Sequence, residues 1–154
     1  MSRSKAVMGI DPGGSGGLAV VSLDGDEARA HRYPGDTSGC FSIVSDYLID
    51  FDVRLCVLEK VHSMPGQGVS STFKFGWNVG AWEGLLVAMG VPYLLKTPQS
   101  WQAAMFDSRG KDIDKKARSL DLARRLFPQV DLKHKADDGK AEALLMARYA
   151  KTLL

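Results

Sequence analysis

Hydrophobic and polar positions alternate in two distinct periods along the chain. Ala6 to Ile10 is a short apolar run that ends in one carboxylate, Asp11. It reads as a buried strand running out into the turn Pro12-Gly13-Gly14-Ser15-Gly16-Gly17. Gly17 to Leu23 alternates loosely and is rich in Val and Leu. Asp24-Gly25 marks a turn, and Ala28 to Tyr33 follows as a third strand, so the chain opens as a three-strand antiparallel meander. The period then changes. Asp36 or Thr37 caps a helix with apolar positions at Phe41, Val44, Tyr47 (or Leu48) and Phe51. Val53 to Val61 is apolar enough for a central strand covered on both faces.

After a Gly- and Pro-bearing loop from His62 to Ser70, a long helix capped by Ser70 or Ser71 extends to about Met89. It carries two apolar faces. Phe73, Trp77, Ala81, Leu85 and Ala88 line one, and Phe75, Val79, Trp82, Leu86 and Met89 the other. A helix apolar on two sides is buried on two sides. Gly76, Gly80 and Gly84 recur every four residues and form a groove for a second backbone, a spacing familiar from membrane helices. Lys74, Asn78 and Glu83 exclude a membrane span. A homodimer through the Ser71–Met89 helix is expected, the alternative being burial within its own domain. Pro92 to Lys96 reads as a fifth strand. Thr97-Pro98 opens a short helix through Trp101 to Phe106. Asp107 to Lys111 is a polar loop, a further helix runs from about Asp114 to Phe127 before Pro128, and the last from about Ala136 to Leu153.

Three features break the pattern. Asp11 ends a buried strand. Glu59 stands near the end of another, where an acid requires an ion-pair partner or a metal. In the last helix Asp138, Glu142, Leu145 and Tyr149 share one face, so two acids continue a core-facing stripe. Asp137 or Asp138 can also serve simply as an N-cap, and Glu142 can pair with Lys140 or Arg148. In a mixed sheet whose first and fourth strands are neighbours, Asp11 and Glu59 lie side by side, and a helix crossing that sheet brings Asp138 and Glu142 to the same place. Four gathered carboxylates require countercharge. Hard divalent cations such as Mg²⁺ supply it, and two ions roughly 4 Å apart suit phosphodiester hydrolysis.

Composition narrows the reading without redirecting it. The 154 residues fit one domain, 1–154, and 45% hydrophobic with 25% charged residues is an ordinary globular balance. No stretch is built to span a membrane and no signal-peptide core follows the charged first residues. The two cysteines, Cys40 and Cys56, lack metal-like spacing, so a reducing, cytoplasmic setting is expected. A net charge of +2 means that any nucleic-acid surface must be local.

Gly9-Ile10-Asp11-Pro12-Gly13, Glu59, the long glycine-bearing helix and the closing Asp138-Gly139-Lys140-Ala141-Glu142-Ala143-Leu144-Leu145 together resemble the RuvC-type Holliday junction resolvases, in particular phage and prophage members. The resemblance covers nearly the whole chain. It implies an α/β, ribonuclease-H-like fold: a five-stranded mixed sheet, meander first, flanked by helices. It implies a homodimer that nicks opposing strands of branched DNA with Mg²⁺ or Mn²⁺, two ions per site, and no small-molecule cofactor. The implied ligands are Asp11, Glu59 and Glu142. The family's usual fourth position falls on Gly139, which has no ligating side chain. Asp138 shares the face of Glu142 and is taken instead, while Asp137 is rotated off it. The resemblance further implies that the 62–68 loop touches DNA, with Met64 or Phe73 against bases. Lys111, Lys115, Lys116 and Arg118 are candidate phosphate contacts, as are Lys133, Lys135 and Lys140. Other readings are a ribonuclease H or less selective branched-DNA nuclease on the same fold, a sugar-kinase-like phosphotransferase, which needs a second domain, and a non-catalytic DNA-binding module.

Overall fold

The central strand β1 (Ser4–Asp11) pairs antiparallel with β2 (Gly17–Ser22) on one side and parallel with β4 (Phe51–Glu59) on the other. With β3 (Ala28–Arg32) and β5 (Tyr93–Lys96) the sheet order is β3-β2-β1-β4-β5. The computed structural model describes residues 2–106 and 114–154. The meander and the five-stranded mixed sheet are as expected from the sequence.

One irregularity decides where the acids fall. Ala6 pairs with Val53, but Val7 pairs with Leu55, so β4 bulges by one residue at Arg54. Two faces exchange there: Val53 packs with Met8, Ile10 and Leu58, whereas Leu55 packs with Val7 and Val57 on the opposite face. A one-residue shift moves every following side chain across the sheet. From the bulge onward the register holds to Ile10 beside Leu58, and the next residues are Asp11 and Glu59. They continue the Val7 and Val57 face.

That face carries α3 (Pro98–Met105), α4 (Lys115–Leu126) and α5 (Asp138–Thr152), which follows a short 3₁₀ turn at Lys135–Asp137. Helix α5 is buried on nearly all sides, through Ala141, Ala143, Leu144, Leu145, Met146, Ala147 and Ala150. Its small residues let it lie directly on the strands. A Cβ at Gly9 would collide with the Ala143 carbonyl oxygen and the Ala147 nitrogen, and one at Gly139 with the Ser15 carbonyl oxygen. Gly16 and Gly17 are likewise crowded, by Asp11 and by His31 and Gly139, and none of the four glycines from Gly13 to Gly17 has a positive φ. The glycines at Gly16 and Gly17 therefore serve close packing, not an unusual backbone. Only Gly14 meets open space, and Gly13 has the Asp11 carboxylate alone nearby.

The opposite face is covered by α1 (Thr37–Asp50) and α2 (Val69–Ala88). Asp36 caps α1 by accepting from the Gly39 N–H at 2.7 Å. Its buried side chains are Cys40, Val44 and Tyr47. Phe41 is exposed, because the inward stripe starts one residue earlier, and Phe51 opens β4. Helix α2 starts at Val69 with Gly68 as its N-cap and no side-chain cap, so neither Ser70 nor Ser71 holds its first turn. Trp82 and Leu86 are its buried residues, on the second of the two predicted apolar faces. Phe73 and Trp77 on the other face are 67% and 65% exposed.

Candidate active site

Asp11 and Glu59 emerge together at the carboxyl ends of parallel neighbours, the place where open α/β sheets bind ligands. Helix α5 crosses above and adds Asp138 and Glu142. Asp11 accepts the Gly13 N–H at 3.2 Å and lies near enough to Glu142 for each carboxyl to affect the other's protonation. Glu59 is 8% exposed and accepts the indole N–H of Trp101, Nε1 to Oε2, at 2.6 Å. Asp138 pairs with the Lys116 ammonium, Nζ to Oδ2 at 3.3 Å, and its charge is felt by both Asp11 and Glu142.

Burial, and then mutual repulsion, sets the protonation of this group. Loss of water raises the Asp11 carboxyl above its ordinary value. Burial and then the Asp11 charge push Glu59 up to about 7, against the Trp101 hydrogen bond, which lowers it. Burial, Asp11 and Glu59 push Glu142 up to about 8. Gathered carboxylates can all stay ionised only beside a countercharge, which a divalent cation supplies. The donors are all hard carboxylate oxygens, as Mg²⁺ or Mn²⁺ requires. Among the described residues, however, no three His, Cys, Asp or Glu side chains are already closed around a single point. The residue types fit such an ion.

The two adjacent aspartates have opposite surroundings. Asp137 is 2% exposed, and Arg32 of β3 grips its Oδ1 through Nε at 2.9 Å and Nη2 at 2.8 Å. The Lys140 ammonium lies 3.4 Å from the same oxygen, and the His134 N–H donates to Oδ2 at 3.0 Å. Burial works against the Asp137 charge, but the His134 N–H and these two cations outweigh it and hold the carboxyl below its ordinary value. Asp137 is thus committed to anchoring the start of α5, whereas Asp138 turns toward Asp11 and Glu142.

The basic candidates divide in the same way. Lys140 is largely buried and also donates to the Asp131 carbonyl at 2.6 Å, so its ammonium is engaged within the chain. Lys115, Lys133 and Lys135 are exposed, and Lys116 leans on Asp138. Lys111 lies outside the described residues. Met64 is 70% exposed on the loop after β4, beside a turn in which Gly66 adopts φ +84°. Two contributors were not legible as such. Trp101 reads in the sequence as one more apolar position of a short helix. Arg32 lies more than a hundred residues from its partner, and only the doubled Asp137-Asp138 hinted that one acid needed a cation of its own.

No family model matches the chain. Over 91 residues, 56% of its length, it is 37% identical to the chloroplastic Holliday junction resolvase MOC1 of Chlamydomonas reinhardtii, of which the match spans 10%. In three dimensions it is similar to RuvC of T. thermophilus bound to a Holliday junction substrate, with TM-score 0.65, 19% identity, and 93% and 90% of the two chains covered. A second Thermus thermophilus RuvC structure gives TM-score 0.62 and 20% identity over 96% of each chain. The chain has the ribonuclease-H-like fold of RuvC.

Proposed function

We propose that this chain is a divalent-metal-dependent endonuclease that resolves four-way DNA junctions. The observation that carries the reading is the convergence of Asp11, Glu59, Asp138 and Glu142 at the ends of the two central parallel strands, on a RuvC fold and in a sequence related to a junction resolvase. These four side chains would hold Mg²⁺ or Mn²⁺, two ions per site. Bound there, the metal would supply an activated water and stabilise charge on the leaving 3′ oxygen. Trp101 and Lys116 orient Glu59 and Asp138, and the open backbone at Gly13 and Gly14 leaves room for a phosphodiester beside Asp11. Lys111, Lys115, Lys116, Lys133 and Lys135 are the proposed phosphate contacts, supported by the exposure of Lys115, Lys116, Lys133 and Lys135, whereas Lys140 braces the start of α5. Met64, at the exposed loop tip, is the residue to press against bases at the crossover.

We read residues 1–154 as one endonuclease domain acting in the cytoplasm as a homodimer through α2. Support for the dimer comes from the exposed Phe73 and Trp77 beside Gly76, Gly80 and Gly84, where an added Cβ would meet nothing. Two such subunits present two acid clusters, which suits a two-fold junction. Support for a reducing compartment comes from Cys40 and Cys56, both free and buried. No described helix is long and apolar enough to cross a membrane.

The test is cleavage of a labelled four-way junction beside a linear duplex of the same sequence, with Mg²⁺, with EDTA, and with Glu59→Gln. Paired symmetric nicks on the junction alone, lost with EDTA or Glu59→Gln, are expected. Equal cutting of both substrates would reduce the function to a general nuclease, and cutting of an RNA–DNA hybrid alone would indicate a ribonuclease H. Junction binding without cutting would remove the catalytic reading.

A further inference from the structure

Trp101 is completely buried, and its indole N–H has found a carboxylate, not a backbone carbonyl. The local chain forces that pairing. Glu59 and Lys96 are register partners at the ends of β4 and β5. Immediately beyond, Thr97 caps α3 through the Ser100 N–H at 3.3 Å, and Pro98 begins the helix. The turn is so short that the first turn of α3 must sit over the end of β4. There Trp101 is wedged in place: its ring lies 6.1 Å from that of Phe106, and the Arg118 guanidinium covers the other ring at 3.9 Å. A buried indole requires an acceptor, but an acid poised for a cation is a costly choice unless its orientation matters.

We propose that Trp101 is a positioning residue for cation binding: its N–H holds Oε2 of Glu59 and thereby aims Oε1 at the space shared with Asp11 and Glu142. This rests on the metal-site reading above. Groups that fix a metal ligand from behind typically contribute 10–100-fold to metal affinity. Trp101 would do so without touching substrate or ion.

The experiment is Mn²⁺ binding to the DNA-free protein by calorimetry, comparing wild type with Trp101→Phe, which keeps an aromatic ring while removing the N–H donor and part of the ring volume. The expected result is a dissociation constant raised about tenfold or more, with the melting temperature within a few degrees of wild type. An unchanged constant overturns the proposal, even if junction cleavage persists. Trp101-dependent Mn²⁺ binding in a protein that leaves junctions uncut supports the proposal and removes the junction reading. No Mn²⁺ binding by wild type overturns both. Should Trp101→Phe fail to fold, the wild-type indole ¹H–¹⁵N signals decide the matter, assigned with Trp77→Phe and Trp82→Phe. Mg²⁺ should shift the Trp101 signal and leave the other two in place, and a Trp101 signal indifferent to Mg²⁺ would contradict the proposal.

Discussion

The two helices that face each other across the sheet, α5 and α2, both have glycines at their surfaces, in opposite surroundings. On the α5 side, Gly9, Gly16, Gly17 and Gly139 are used up: any Cβ would strike backbone within the chain, and the helix lies close enough to the strands to bring its acids to theirs. On the α2 side, Gly76, Gly80 and Gly84 meet nothing, and Phe73, Trp77 and Val87 are exposed around them. The first set of glycines builds the site, and the second leaves a surface open. In a sequence the two sets look alike, because glycine marks close approach without saying to what.

Substitution should separate the two faces by the size and sign of the effect. Gly9→Ala forces α5 off the sheet. It is expected to destabilise the fold by about 3 kcal/mol or more, seen as a lowered urea midpoint, with the acid cluster dispersed. At the start of α5 the adjacent aspartates should part company. Asp137→Asn breaks a buried, doubly paired carboxylate and should cost about 2–3 kcal/mol, read in the same urea titration. Asp138→Asn should leave stability nearly unchanged and, on the nuclease reading, lower junction cleavage by about a hundredfold or more. The reverse ranking would show that Asp137 is the site residue. At the small end, Gly80→Ala should stabilise the isolated helix by about 0.5–1 kcal/mol while weakening self-association in sedimentation velocity. Unaltered self-association would release the α2 face from the dimer.

Protonation offers a further contrast, because the α2 face carries no comparable acid cluster among the described residues. Glu59 and Glu142 have folded-state values near 7 and 8, above those of the unfolded chain. Between pH 4.5 and 8 the folded protein therefore binds more protons than the unfolded one, and stability falls as pH rises. In EDTA the melting temperature should decline from pH 5 to pH 8, and Glu142→Gln should flatten the decline. Added Mg²⁺ should restore stability at pH 8, since the ion replaces the missing protons.

Most of the architecture was legible because it rests on local periodicity: the meander, the central β4 and the order of helices follow from apolar runs and their breaks, whereas the meeting of Asp11 with Glu59 also needed β1 and β4 to be neighbours. What escaped was non-local. The bulge at Arg54 is invisible in the sequence, since Val53, Leu55, Val57 and Glu59 alternate perfectly and read as one face, yet Val53 packs on the other. Cys40 displaced Phe41 from the α1 interior because small and large apolar residues compete for one stripe. The preference for Asp138 over Asp137 came from helical spacing. The reason Asp137 is needed elsewhere, the grip of Arg32, depends on β3 lying beside α5. Trp101 advertised only its ring, whereas its N–H meets Glu59.

Four carboxylates from β1, β4 and α5 are proposed to form one metal centre. Diffraction from crystals soaked in Mn²⁺, recorded near the manganese absorption edge, would show whether they do. Anomalous peaks bounded by Asp11, Glu59, Asp138 and Glu142 are expected, abolished in Glu59→Gln. Manganese bound elsewhere, or absent while the protein still cleaves junctions, would contradict the proposal.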